Sequence, residues 1–153
     1  MEQRQENYLL STDRSRLQVS RIHAFLSKQA YWCLDIPEDV VKRAIENSLC
    51  FGLYDLGPAD QPQIGFARVV TDAATFAWIC DVYIETEHRG RGLSKWLTKT
   101  VLVHPDLVGL RRVCLATKDA HGLYAQYGFQ VTQTPGNWME IKDNEIYKKT
   151  KSP

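Results

Sequence analysis

The stretch FAWICDVYIETEHRGRGLSKWLTKTVLV, residues 76–103, carries the clearest local pattern in the chain. Its first nine residues, Phe76 to Ile84, are almost all apolar or aromatic, which is typical of a strand. The glycine-rich turn HRGRG follows and opens a helix from about Gly92 to Val103, which Pro105 ends. The stretch therefore predicts a strand, a tight turn and a helix in direct succession.

Upstream of that stretch the pattern predicts two helices followed by strands. A short strand at Tyr8 to Ser11 precedes a helix that Thr12 or Asp13 caps and that runs to about Ser27. Pro37, with acidic residues in the first turn, begins a second helix. Two further strands then follow, Leu49 to Tyr54 and Ile64 to Val70. They should form an antiparallel meander with the strand that starts at Phe76.

Downstream, Arg112 to Thr117 is almost continuously apolar, as expected for a buried parallel strand. A short helix with Gly128 at its end follows, then a last strand around Trp138 to Ile141 and a polar tail that we expect to fray. The fold class predicted is α+β, with a mixed, mostly antiparallel sheet flanked by helices, in a single domain over residues 1–153.

Composition excludes several classes of protein. The net charge is +1, with 44% hydrophobic and 24% charged residues, so there is no electrostatic case for a nucleic-acid or membrane-surface protein. No apolar run approaches the roughly 18 residues of a membrane span, and the polar N-terminus is not a signal peptide. The four cysteines are scattered without metal-ligand spacing, which favours reduced thiols, no metal and a cytoplasmic location.

The turn from Arg89 to Ser94 is the most informative feature. Its two glycines lack Cβ atoms, so a ligand can approach the backbone closely, and the helix behind it directs free N–H groups at the same point. That arrangement suits a phosphate or pyrophosphate. The spacing matches neither a P-loop nor a dinucleotide fingerprint. Taken alone, the turn fits a solvated, basic helix start equally well.

A second feature lies about 30 residues on, where Leu123-Tyr124 precedes Gly128-Phe129 on a short helix. With Val82-Tyr83-Ile84 and the turn, this order of motifs resembles the GCN5-related N-acetyltransferase (GNAT) family. The resemblance covers the chain from about Tyr8 to Ile141. It implies a GNAT fold in which the fourth and fifth strands of the family splay apart, and acetyl-CoA as co-substrate.

The resemblance also implies roles for individual residues. Val82, Tyr83 and Ile84 correspond to the strand that pairs with the pantetheine arm. The pyrophosphate loop corresponds to Arg89, Gly90, Arg91, Gly92, Leu93 and Ser94, with serine in place of the family's Gly or Ala. Thr117 stands where the family often has Asn, which shortens the reach toward pantetheine. Tyr124 corresponds to the tyrosine beside the thioester sulfur.

Acyl transfer to an amine needs a neutral amine, a polarised carbonyl and a stabilised leaving thiolate. Tyr124 is the candidate acid. Asp81 is the candidate group for binding or deprotonating the amine. The polyamine-type members of the resembling family have a Glu-Asp pair at this step, and only the Asp is present here. The alternative is that Asp81 is a polar residue at a β-bulge. Tyr31 and Trp32 are candidates for the acceptor pocket or for core packing. Cys80 beside Asp81 is a poor nucleophile.

We therefore expect an N-acetyltransferase that moves the acetyl group of acetyl-CoA directly to an amine. The acceptor stays open among small amines, amino acids, antibiotics, polyamines and peptide or protein N-termini. A non-catalytic acyl-CoA sensor with the same fold is the alternative, and a structural protein with a solvated RGRG turn is a third. A homodimer is common in the family.

Overall fold

In the computed structural model, which describes residues 1–149, six strands form a single sheet in chain order. Neighbouring strands are antiparallel except for the last pair, which is parallel. The predicted mixed, mostly antiparallel sheet is confirmed. The strands are β1 (Glu2–Gln5), β2 (Tyr8–Ser11), β3 (Leu49–Asp55), β4 (Gln63–Thr71), β5 (Phe76–Ile84) and β6 (Arg112–Leu115).

Helices cover both faces of the sheet. They are α1 (Val19–Lys28), α2 (Glu38–Glu46), α3 (Leu93–Leu102), α4 (His121–Ala125) and α5 (Ile146–Lys149). On one face α1 and α2 bury Ile22, Phe25 and Ile45 against β3 to β5. On the other face α3 buries Leu97 and Val101. The apolar stripes of α1, α2 and α3 thus face the sheet, which gives a three-layer arrangement.

The end of β5 departs from its neighbours on both sides. Phe66 pairs with Tyr83 and Arg68 with Cys80, so two residues of β5 oppose one residue of β4 in a β-bulge. Toward β6 the pairing stops at Ile79 within the described part of the chain. The two parallel strands therefore part beyond Ile79 and leave a cleft between their carboxyl ends.

Several details differ from the sequence prediction. The polar N-terminus forms an additional strand, β1, paired with β2. Asp13 caps only a 3-10 turn at Arg14–Arg16, because Leu17 returns to an extended conformation, and α1 starts at Val19. β6 ends at Leu115, two residues early.

A further difference is the predicted last strand at Trp138 to Ile141, which was wrong. Pro135–Asn137 forms a 3-10 turn. The Arg112 guanidinium lies over the Trp138 ring, with Cζ 5.4 Å from the ring centroid. The Met139 and Ile141 side chains are fully exposed, so neither strand pairing nor burial stabilises an extended strand there. Part of the tail that we expected to fray forms α5, and the tail's last residues, 150–153, lie outside the described residues.

None of the helices within residues 1–149 has the length and apolar character required to cross a membrane.

Candidate active site

The cleft between β5 and β6 contains two connected chambers. The outer chamber, about 470 Å³, lies between residues 82–84, the turn at residues 88–94 and residues 119–124. The inner chamber, about 250 Å³, lies between residues 78–82, residues 115–120 and the α1–α2 connector. Six residues line both chambers and so mark their junction: Tyr31, Trp32, Val82, Asp119, Ala120 and Tyr124.

The glycine-rich turn forms one end of the outer chamber. Gly90 and Gly92 both have φ of 77°, a left-handed conformation that favours glycine, and an added Cβ would meet no protein atom within 4 Å at either position. Gly92 is the N-cap of α3, and no side chain caps this helix. Its first N–H groups and the positive end of its dipole are therefore directed at open space, which suits an anion.

The two arginines of the turn act mainly on the protein itself. Arg89 lines the outer chamber while its Nε donates to the Ile84 carbonyl at 2.9 Å. Arg91 donates to the Tyr8 hydroxyl at 2.9 Å and to the Glu87 carbonyl at 3.3 Å. Arg91 thus fixes the turn against β2, and Arg89 is held to β5 through Nε while it lines the outer chamber beside the backbone N–H groups.

The Val82–Ile84 segment contributes mostly backbone to the cleft. The Tyr83 ring stacks on Phe25 with centroids 3.7 Å apart, and burial raises the pKa of its hydroxyl. That side chain belongs to the core under α1. The bulge and the end of pairing at Ile79 leave the β5 backbone available to an extended ligand.

Tyr124 lies where the two chambers meet. It is buried, 7% exposed, and packs edge-on against Phe129 at 5.8 Å. Burial, together with the nearby Asp119 and Tyr31, raises the pKa of its hydroxyl above the ordinary value. The hydroxyl is thus protonated at neutral pH and able to donate a hydrogen bond.

Asp81 occupies the bulge with φ of 53°, an uncommon conformation outside glycine. One carboxylate oxygen accepts from Arg68 Nε at 2.6 Å and the other from Trp32 Nε1 at 3.2 Å. The Asp81 and Arg68 side chains are only 12% and 19% exposed. The carboxylate lines the inner chamber with both oxygens engaged, so its role toward the amine stays a prediction.

Tyr31 and Trp32 cover the inner chamber from the α1–α2 connector. Trp32 reaches β5 through Asp81, and the Tyr31 hydroxyl accepts from the Lys118 backbone N–H at 3.3 Å beyond β6. The two rings meet edge to face at 5.0 Å. The connector therefore spans the cleft, and the acceptor contact of Tyr31 and Trp32 stays a prediction.

Thr117 lies on the inner side of the cleft and does not line the outer chamber. Its hydroxyl oxygen accepts from the Ala120 N–H at 3.0 Å at the start of α4. The cofactor contact predicted for Thr117 stays a prediction.

The buried thiols are poorly suited to nucleophilic chemistry. Burial, then the nearby Asp81, raises the pKa of Cys33 and of Cys80 to about 12. Both stay protonated at neutral pH, in line with the expectation for Cys80. All four cysteines are free. Within residues 1–149 no group of three or more His, Cys, Asp or Glu is arranged to hold a metal ion.

Sequence reasoning missed several residues of the cleft, and a charged and an aromatic one among them bear on the site. Asp119 lines both chambers, and Trp78 forms a wall of the inner one. The position of Asp119 just after β6 was a usable signal, because carboxyl ends of parallel strands carry ligand-binding groups. Trp78 gave no signal, since an aromatic residue inside a strand is ordinarily core.

Comparison with known proteins gives one consistent family. The sequence model of the acetyltransferase (GNAT) domain matches residues 47–131. A Gibberella zeae protein named as a candidate acetyltransferase is 37% identical over 138 residues, covering 78% of this chain and 77% of that protein.

Solved structures agree with this. A candidate GNAT-family acetyltransferase of Xanthomonas campestris pv. campestris is 50% identical with a TM-score of 0.85, covering 92% of this chain and 96% of that one. An acetyltransferase of Clostridium acetobutylicum, solved with acetyl-CoA, has a TM-score of 0.63 at 18% identity over 89% of this chain and 95% of that one. At that identity the second likeness shows the fold alone.

Proposed function

Because the chain belongs to the GNAT acetyltransferase family, we propose that it transfers the acetyl group of acetyl-CoA directly to an amine. The observation that carries this proposal is the pair of joined chambers between β5 and β6, with an uncapped helix N-terminus at one end and Tyr124 at the junction. Two substrates that meet at such a junction react as a pair, which lowers the entropic barrier.

The residues present fit acetyl-CoA. The open space over Gly90 and Gly92 and the uncapped N–H groups of α3 suit its pyrophosphate. The unpaired edge of Val82–Ile84 suits the amide-bearing pantetheine arm, which can hydrogen-bond there as an added strand does. Acetyl-CoA would supply a thioester activated for attack by nitrogen.

Tyr124 is the proposed acid. Its raised pKa keeps the proton on the hydroxyl, which can then donate a hydrogen bond to sulfur as negative charge develops there. Val82 lies on the bulge at the same junction, and its backbone is our candidate for polarising the thioester carbonyl. Both interactions strengthen only as charge develops, which is what accelerates a reaction.

Asp81 contributes to the proposed site by position. Its two hydrogen bonds hold Arg68 against the sheet and Trp32 over the inner chamber. Tyr31 and Trp32 are proposed to contact the acceptor, since they cover the chamber opposite the anion-binding turn.

Two measurements test the proposal. Calorimetry with CoA tests the cofactor site, and release of CoA thiol from acetyl-CoA with a panel of amines tests transfer. We expect micromolar binding, as for most enzyme substrates (about 1 μM to 1 mM), and amine-dependent thiol release. Tight binding without thiol release for any amine would indicate the acyl-CoA sensor instead, and no binding of CoA would refute both.

A further inference from the structure

The inner chamber has aromatic and apolar walls. Trp78 forms one wall from β5, and Tyr31 and Trp32 cover it from the connector. Leu115 and Val82 supply the aliphatic surface between them. Flat apolar surfaces of this kind stack on aromatic rings and bind them more strongly than buried area alone predicts.

The charged groups around the inner chamber bear on which class of amine it can bind. Among its described lining residues there is no Lys, Arg or His. Cations lie around it instead: the Lys118 ammonium is 5.8 Å from the centroid of the Tyr31 ring, and Arg89 lines the outer chamber. Asp81 is already bound by Arg68 and Trp32. Asp119 is the second carboxylate that lines the chamber, and it is exposed at the junction.

We propose that the acceptor is a small primary amine with an aromatic body, whose ammonium group binds Asp119 and whose ring lies against Trp78 beneath Trp32. This inference rests on the acetyl transfer proposed above. Amino acids, amino-sugar phosphates and polyamines fit poorly, because the first two need a cation in the chamber and the last needs several carboxylates.

Asp119 lies at the junction of the two chambers, where we place the nitrogen of the acceptor amine. It lines both chambers together with Val82 and Tyr124, and its charge is felt at the Tyr124 hydroxyl. An ammonium group at Asp119 is therefore beside the position proposed for the thioester, and it attacks as the neutral amine after losing one proton to the solvent at this exposed residue. The nitrogen bonds to the acetyl carbon as the carbon–sulfur bond breaks, and the further proton that the nitrogen loses balances the one taken up by the CoA thiolate.

The first experiment is a thiol-release assay of the full chain with four amines of different chemistry. They are 2-phenylethylamine, spermidine, glucosamine 6-phosphate and a lysine-containing peptide. We expect the highest kcat/KM for 2-phenylethylamine. A higher value for any of the other three would overturn the inference and leave the transfer activity intact.

Matched variants locate the binding. Asp119→Asn should raise the KM for 2-phenylethylamine about tenfold through loss of a charge-assisted hydrogen bond, with kcat changed little. Asp60→Asn, at an exposed carboxylate in the β3–β4 loop, should leave KM unchanged. Trp78→Leu should also raise KM, whereas Trp138→Leu, outside the inner chamber, should not. An unchanged KM in Asp119→Asn refutes the assignment even if Trp78→Leu fails to fold.

Binding can be measured without turnover. We would titrate 2-phenylethylamine into the protein saturated with CoA and follow the heat. Binding that weakens about tenfold in Asp119→Asn but not in Asp60→Asn supports the inference even if no thiol is released. If no heat of binding is seen, the inference fails, whatever the outcome for acetyl transfer.

Discussion

Replacing Gly92 with alanine tests the anion-binding turn most directly. Gly92 has φ of 77° at the N-cap of α3, and an added Cβ would lie in open space next to the uncapped N–H groups. The substitution therefore fills the space that a phosphate is proposed to occupy without striking another part of the protein. Its unavoidable side effect is strain, because an alanine in this conformation is disfavoured.

The strain and the loss of binding can be separated with a second glycine. Gly109 has φ of 82° and equally open surroundings, and lies between α3 and β6, apart from both chambers. Alanine should cost each variant about 1–2 kcal/mol of unfolding free energy. Only Gly92→Ala should also lose charge-assisted hydrogen bonds to phosphate, each about 1.5–3 kcal/mol, or roughly 10- to 150-fold in Kd.

Calorimetry with CoA and urea unfolding of both variants make the comparison. We expect equal losses of stability and a weakened Kd in Gly92→Ala alone. If Gly92→Ala binds CoA as well as Gly109→Ala does, the pyrophosphate does not lie on this turn. If both variants bind weakly, the effect arises from general destabilisation and the argument from open space is wrong.

Three further outcomes are expected. Tyr124→Phe should slow thiol release by roughly 10²–10⁴-fold with CoA affinity unchanged. Because burial raises the pKa of Tyr124, any loss of activity from its ionisation should begin at a higher pH than an ordinary tyrosine requires, and it should be absent in the variant. Wild-type kcat in the variant would remove Tyr124 from the chemistry. Asp81→Asn should lower the unfolding free energy by about 2–3 kcal/mol by leaving the Arg68 charge unpaired; unchanged stability with depressed turnover would favour a direct role for Asp81. Cys33 and Cys80, with pKa values raised to about 12, should react with iodoacetamide at pH 8 far more slowly than unfolded chain does; equal rates, measured by mass spectrometry, would contradict their burial.

Local sequence patterns were sufficient for most of the sheet. The strands of the meander and the helix after Gly92 follow from apolar runs bounded by turn residues, and they appear within a residue or two of the predicted limits. β1 was missed because Glu2–Gln5 has no apolar pattern; its stability comes from pairing with β2 and from the Gln3 side chain, which accepts from Trp96 and Thr100. Such contacts join residues more than 90 positions apart and leave no local signal.

The site could be predicted where a local motif fixes the backbone. It could not be predicted where contacts between side chains far apart in sequence determine the position of a residue. Gly90 and Tyr124, both in the motifs, line the outer chamber, and their roles there stay predictions. The engagement of Asp81 by Arg68 and Trp32 involves separations of 13 and 49 residues, which no spacing rule covers.

The geometry of the cleft depends on the strained residue at its centre. A left-handed residue inside a strand costs free energy and persists only where the surroundings determine it, as at functional sites. Here Arg68, on the neighbouring strand, and Trp32, on the connector, bind the two oxygens of Asp81 and so offset that cost. The same contacts set the bulge that presents the Val82 backbone and hold the cover of the inner chamber. The Asp81 carboxylate thereby links the strand edge proposed for the thioester to the wall proposed for the amine. A carboxylate at the same position without these two hydrogen bonds would neither stabilise the bulge nor hold Trp32 over the inner chamber.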